Sequence, residues 1–295
     1  MIKTSLLALT ALAAVLVAQS SAQALVSRAW VSGHGADAAG CGSPASPCRS
    51  LQYVVSNIIA PKGEIDVLDP AGYGAVTITT AVSIVNDGVG TAGVQASSGN
   101  AITINVGASD AVVLRGLEVD GLGTGSIGIQ FNSGAALTIA NCIVQNFTSD
   151  GLQIRPSTGT MLLAVAQTTV ANNGGQGLSI VPRGNASVRG TIAGSEALHN
   201  GEAGIFMSGD GTTGLETFIE ASDTNVSHNG ADGIQGQGAG VTFAITRMFG
   251  TNNFDGVGNY NSSTGVAKAY TFGDSRFIGN RRNDSNAVFT SATGQ

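Results

Sequence analysis

A glycine followed by residues of alternating character returns six times along the chain. It reads Gly128-Ile-Gln-Phe-Asn, Gly151-Leu-Gln-Ile-Arg, Gly177-Leu-Ser-Ile-Val, Gly204-Ile-Phe-Met-Ser, Gly233-Ile-Gln-Gly-Gln and Gly256-Val-Gly-Asn-Tyr, at intervals of 23, 26, 27, 29 and 23 residues. A second landmark, an Asn three residues after an apolar position, recurs at Ile143/Asn146, Val170/Asn173, Ala197/Asn200, Val226/Asn229, Phe249/Asn252 and Phe277/Asn280. A period in the mid-twenties made of short strands, with no helix inside the unit, predicts a solenoid whose coils stack strand on strand. Coil spacing is then the sheet spacing, about 4.8 Å, and like residues form columns. Asn suits such a column because its amide both donates and accepts. The repeated Gly is expected where the chain takes a positive φ. A leucine-rich horseshoe needs a Leu lattice, which this sequence lacks.

Composition agrees with this. The 295 residues include 43 Gly and only 6 Pro, with 11% charged and 5% aromatic. Such a chain favours many short strands joined by tight turns over long amphipathic helices, and its apolar content excludes disorder. A formal net charge of −6 offers phosphate backbones no attraction, which excludes nucleic acid as a partner. Met1-Ile2-Lys3, the apolar stretch Leu6 to Ala18 and the small-residue site Ala22-Gln23-Ala24 predict a signal peptide over 1–24 and a secreted protein, extracellular or periplasmic. That stretch is shorter than the roughly 20 residues a bilayer span requires, and no later segment spans a membrane. An exported chain permits a disulfide, and Cys41 and Cys48, close in sequence, are the expected pair. Cys142, in a strand-like run, is expected to pack as a small apolar residue.

Leu51, Val54, Val55, Ile58 and Ile59 keep helical spacing, with Ser46 as cap, Pro47 in the first turn and Pro61 as stop. This predicts a helix over 47–60, placed to cap the N-terminal coil. Domain boundaries follow: a strand, cysteine loop and capping helix over 25–63, then the solenoid over 64–295. At the far end 279–284 is a polar close, and Ala287-Val-Phe-Thr is expected to add one last strand.

With those residues in view, the sequence resembles the right-handed parallel β-helix proteins of the pectin-lyase-like superfamily. It is most similar to secreted bacterial members that open with a short strand, a close cysteine pair and a capping helix, here Trp30-Val31-Ser32, Cys41 to Cys48 and the helix after it. The resemblance covers about Trp30 to Asn280. It implies an all-β, right-handed parallel β-helix with an N-terminal capping helix, and a ligand groove along one parallel sheet, commonly for an extended polysaccharide. It does not imply a reaction, because the scaffold hosts lyases, hydrolases, epimerases, adhesins and phage proteins.

The enzymatic signatures of that superfamily are not evident. Gly33-His34-Gly35 matches a polygalacturonase-like element but precedes the capping helix, and no Arg-x-Lys accompanies it. Lyases of this class hold Ca²⁺ on several carboxylates, and the central coils are carboxylate-poor. Asp232 and Asp255 share one slot, just before the aligned Gly, on neighbouring coils. Stacking brings them close enough to share a cation or raise a pKa, although solvated turn aspartates are the plainer expectation. His199 and His228 both precede ladder Asn residues and are expected to stack as neighbours; a metal pair is one reading, but without a third close ligand an exposed turn pair is the plainer one, and no metal is assigned.

Alternation after the aligned Gly puts residues one and three past it inside and those two and four past it outside. The outer columns are Gln130, Gln153, Ser179, Phe206, Gln235, Gly258 and Asn132, Arg155, Val181, Ser208, Gln237, Tyr260. Amides hydrogen-bond sugar hydroxyls and rings take the apolar sugar face. The expected ligand-binding residues are therefore Gln130, Asn132, Gln153, Arg155, Phe206, Gln235, Gln237 and Tyr260, with Arg183 adding positive charge that favours a uronate-bearing chain. The leading expectation is a protein that engages a polysaccharide or surface glycan without strong catalysis and needs no cofactor. The second is a lyase or hydrolase using Asp232, Asp255 and Arg155, with Ca²⁺ required only if it is a lyase. The third is a structural or adhesive surface protein.

Overall fold

The computed structural model describes residues 24–209, 216–262, 265–282 and 289–291. The expected signal peptide lies, apart from Ala24, outside the described residues. Among the described residues three sheets run along a parallel β-solenoid: sheet I has eleven strands, from Val26–Val31 to Phe289–Ser291, and sheets II and III have nine each. One coil reads Thr160–Ala166 in sheet I, Thr169–Ala171 in sheet II and Leu178–Ile180 in sheet III, and the chain re-enters sheet I at Ser187–Ala193. Every strand pairing is parallel except the last of sheet III, where Gly265–Val266 runs antiparallel to Val257–Ser262. The row Ile129, Leu152, Leu178, Ile205, Ile234 and Val257 is in register coil by coil. These are the residues one past the repeated glycines, so the predicted alignment holds. Ile129, Phe131, Leu152, Ile154, Leu178 and Ile180 fill the interior.

The repeated glycines differ from expectation in their reason. None of the six has a positive φ. What requires glycine is close approach: a Cβ on Gly177 would stand 2.5 Å from the Gly204 carbonyl oxygen and 2.8 Å from the Asn200 amide nitrogen. Left-handed backbone falls instead on the turn residues Asn146, Asn172, His199, His228 and Asn252, with φ between 54° and 62°.

From Asn172 onward, the residue after each of these carries the amide column between sheets II and III. Asn173 Nδ2 donates to Asn200 Oδ1 (3.0 Å), Asn200 to Asn229 (3.0 Å), Asn229 to Asn253 (3.1 Å) and Asn253 to Asn280 (3.0 Å). Each accepting oxygen also takes the backbone N–H of the preceding ladder residue. Two members of the sequence alignment are thereby corrected. Asn252 sits in the left-handed slot and Asn253 in the column, while Asn146 also sits in that slot and Phe147 follows it, donating its N–H to Asn173 Oδ1 (3.1 Å). Asn tolerates left-handed backbone, so Asn-Asn pairs leave the assignment open in sequence.

A second column, absent from the sequence reading, lines the corner between sheets I and II. Cys142, Thr168, Ser195 and Thr224 are buried there. The Cys142 N–H donates to Thr168 Oγ1 (3.4 Å) and the Thr168 N–H to Ser195 Oγ (3.2 Å). Burial pushes the Cys142 thiol up to about 11, so it stays an unreactive thiol at neutral pH.

The N-terminal helix, α1, is Leu51–Asn57, shorter than predicted. Ser50, not Ser46, caps it, its Oγ accepting the Tyr53 N–H at 3.2 Å. Cys48 is held in a bridge to Val31 and bonded to Cys41, so the helix cannot begin before it. Ile59 and Pro61 lie in strand Ile59–Val67. Leu51, Val54 and Val55 are buried, and α1 packs on strands Val26–Val31, Ile59–Val67 and Val76–Ile78. The cysteine loop lies along the free edge of Val26–Val31, through Trp30 N–H to Gly42 O (3.0 Å) and Cys48 N–H to Trp30 O (3.0 Å). At the other end Phe289–Ser291 pairs with Lys268–Thr271, the last strand expected near there.

Candidate functional site

The outer face of sheet III is built by the pleat. Gln153, Ser179, Phe206, Gln235 and Gly258 follow one another in register, and Ser208, Gln237 and Tyr260 form the next row. Asn132 lies where the register shifts between Phe131 and Ser133. The face divides into two halves. In the N-terminal half the amides bond one another: Asn100 Nδ2 to Gln130 Oε1 (2.6 Å), Gln130 Nε2 to Gln153 Oε1 (3.2 Å), and Asn132 Nδ2 to Asn105 Oδ1 (2.9 Å). Arg155 Nη1 closes on Gln153 Oε1 at 3.1 Å. Gln153 is only 8% exposed and Ser179 only 5%. In the C-terminal half, Gln235 and Gln237 are half-buried, their side-chain amides bonded to no described residue, beside the half-buried rings of Phe206 and Tyr260. Free amides next to rings are therefore concentrated over the strands Ile205–Ser208, Ile234–Gln237 and Val257–Ser262.

The slot before each aligned glycine forms a further column, and it corrects the expectation of solvated turn aspartates. Asp150 Oδ1 accepts the Gln176 N–H (3.0 Å), and Gln176 Oε1 accepts the Ala203 N–H (2.8 Å). Asp232 and Asp255 continue the column at 2% and 0% exposure. Arg282 grips Asp255 with both arms, Nε to Oδ1 at 2.9 Å and Nη2 to Oδ2 at 3.1 Å, and the Tyr260 hydroxyl donates to Asp255 Oδ2 at 2.9 Å. Arg281 and Arg282 both lie over the Phe254 ring, at 4.9 and 4.7 Å from its centroid. The sequence carried no signal for Arg282, which lies beyond the last aligned glycine.

The Asp232 carboxyl occupies the outer place at position 258, since a Cβ on Gly258 would meet Asp232 Oδ2 at 2.1 Å. It therefore ends the row that contains Phe206 and Gln235. Burial raises its pKa to about 6 and the Asp255 charge adds to this, against the lowering effect of hydrogen bonds from Tyr260 and the Asp255 backbone. Burial and the two carboxylates push the Tyr260 phenol well above its usual value, so it remains a donor.

A pH dependence follows. With a folded-state pKa above the unfolded one, the folded chain binds the extra proton. Stability from this group is full below about pH 4 and falls as pH rises to about 6, by on the order of 2–3 kcal/mol. Asp232→Asn is expected to gain that amount relative to the parent between pH 4 and 7, measured by urea unfolding. Parallel pH profiles for the two proteins would contradict the assignment.

His34, in the Gly33-His34-Gly35 match, hydrogen-bonds Asp69 Oδ2 through Nδ1 (3.0 Å) at the N-terminal end, far in the coil order from Asp232. Among the described residues no group of three or more His, Cys, Asp or Glu is placed to hold a metal ion.

No family model matches the chain, and no curated protein matches it. Among solved structures it is similar to the crystal structure of pectate lyase Pel9A, with a TM-score of 0.55 and 15% identity over 92% of this chain and 82% of that one. At that identity the likeness is one of fold. The protein is a parallel β-helix.

Proposed function

We propose that the protein engages an extended polysaccharide along the outer face of sheet III, without strong catalysis. One observation carries the reading: Phe206, Gln235, Gln237 and Tyr260 form a cluster of rings and unpartnered amides on three consecutive strands of a rigid sheet. A sugar ring laid on Phe206 or Tyr260 places its hydroxyls within reach of the amides. Arg155 and the exposed Arg183 stand on the N-terminal side and favour an acidic sugar. The polysaccharide class is supported by the likeness to a pectate lyase. Binding to immobilised uronic-acid polymers and a neutral panel tests this. Phe206→Ala with Gln235→Ala is expected to weaken binding at least tenfold, about 1.4 kcal/mol, and Gln130→Ala to leave it nearly unchanged. Equal binding by the double variant would remove the site.

A second reading, hydrolysis or lysis of uronate-containing glycans, is favoured by one feature. Asp232 is an acid with a pKa of about 6 at the end of the sugar-facing row, suited to protonate a leaving oxygen. Asp255, the other carboxylate, is engaged by Arg282 and Tyr260 and so is poorly free to act as a base, which puts binding first. Release of reducing ends or unsaturated products, with and without Ca²⁺, decides. Activity lost in Asp232→Asn would support this reading, and silence across the panel would retire it. No cofactor enters the binding reading.

The solenoid winds in the right-handed sense that parallel crossovers take in about 98% of cases. The helix Leu51–Asn57 caps its first coil over the domain 25–63. The leader 1–24 is removed on export to an extracellular or periplasmic location, which the Cys41–Cys48 disulfide suits. No helix among the described residues is long and apolar enough to cross a membrane.

A further inference from the structure

The left-handed corner between sheets II and III carries side chains of its own, distinct from the buried amide column. Asn172, His199, His228 and Asn252 occupy this slot on successive coils, all exposed. His199 and His228 both hold left-handed backbone, with φ of 54° and 60°, so their side chains leave the corner in parallel. Their rings stack with centroids 4.8 Å apart and 15° between planes. Asn252 Nδ2 lies 2.9 Å from His228 Nε2. His199 opens onto a groove lined by Asn146, Thr148, Asn172, Gly174 and Gly201. None of these side chains serves the sugar-facing sheet or the interior, and the coil repeat alone brings two imidazoles together.

We propose that His199 and His228 form a binding site for a divalent transition-metal ion, with the Asn252 side chain as third ligand. Imidazole nitrogen selects Zn²⁺, Ni²⁺ and Cu²⁺ over hard ions such as Ca²⁺. A tetrahedral ion at about 2.0–2.1 Å from each nitrogen needs those nitrogens about 3.3 Å apart. In the stacked pair the ring planes are 15° apart and their in-plane lone pairs do not meet, so on binding the two exposed imidazoles rotate about χ1 and χ2 until the lone pairs converge on the ion. On binding, the Asn252 amide gives up its hydrogen bond to His228 Nε2 and turns its Oδ1 toward the ion. Water or ligand oxygens complete the shell.

Calorimetric titration of the untagged chain at pH 7.5 with Zn²⁺, Ni²⁺, Cu²⁺ and Ca²⁺, each alone, tests the site. One ion per chain is expected, with Cu²⁺ the tightest and no Ca²⁺ at this place. His199→Asn and His228→Asn should each weaken binding at least tenfold. Asn already fills the same backbone slot at 172 and 252, so these variants keep the fold, and circular dichroism verifies this. Asn252→Asp, which puts a carboxylate at the third position, should tighten binding at least tenfold, and His34→Asn should change nothing. Absence of binding by all three transition metals at millimolar concentration overturns the proposal. So does binding that survives His199→Asn or that depends on His34, and an unchanged affinity in Asn252→Asp removes the third ligand.

Discussion

Asn200→Ala is expected to lower the unfolding free energy by about 3–5 kcal/mol, with the same fold retained in the surviving native fraction. Asn200 Oδ1 accepts both the N–H and the amide of Asn173, at 3.3 and 3.0 Å, and Asn200 Nδ2 donates to Asn229 Oδ1 and to the Val170 carbonyl, at 3.0 and 3.1 Å. All these groups are buried, so water does not replace the lost partners. An unmade buried hydrogen bond costs about 1–3 kcal/mol, and a truncation here strands up to four groups. Asn253→Ala should cost a similar amount, because Asn253 holds the same place two coils on. Asn252→Ala, one residue away and exposed, should cost about 1 kcal/mol or less, chiefly from its left-handed backbone. Denaturant unfolding of the three variants separates them, and a larger loss in Asn252→Ala than in Asn253→Ala would reverse the assignment of the column.

The second large effect is expected at a glycine. In Gly177→Ala the new methyl would meet the Gly204 carbonyl oxygen at 2.5 Å and the Ala197 Cβ at 3.3 Å. The nearest of these atoms is backbone of the next coil, which cannot turn aside, so the coils must separate locally. Overpacking of this kind costs about 1–3 kcal/mol, and more where it also breaks hydrogen bonds. Here it presses on the Asn200 amide 2.8 Å away, which places the loss at about 3 kcal/mol or above. Gly159→Ala is the control: its φ is 73° but nothing lies within 4 Å of its Cβ direction. It should lose about 1 kcal/mol from backbone strain alone. Thermal or urea unfolding reads both, and equal losses would mean that φ, not coil approach, governs the repeated glycines.

Much of this architecture was legible in the sequence, and particular residues explain where it was not. The row from Gly128 to Gly233 was readable because only glycine admits the neighbouring backbone, so the identity itself repeats. The amide column was readable except at its ambiguous members, since Asn serves both the column and the left-handed slot before it. The column of Cys142, Thr168, Ser195 and Thr224 was hidden because those residues share size and bonding capacity rather than identity. The helix began later than the Ser46 and Pro47 signals indicated because the Cys41–Cys48 bridge and the Val31 pairing claim Cys48 first. At the candidate site, alternation placed Phe206, Gln235 and Tyr260 on one face. It did not reveal that Gln130 and Gln153 bond each other, nor that Asp255 is closed off by Arg282. A turn aspartate reads the same in sequence whether its carboxyl meets water or the next coil.

The claim on which the rest depends is that successive coils stack in register through this corner. A crystal structure of the protein tests it most directly. The account predicts Asn173, Asn200, Asn229, Asn253 and Asn280 in one line, each amide about 3 Å from the next side-chain oxygen, with His199 and His228 stacked outside it. A line broken by a shift of one residue at any of these coils would contradict it, and would dissolve the rows on sheet III that the functional proposal uses.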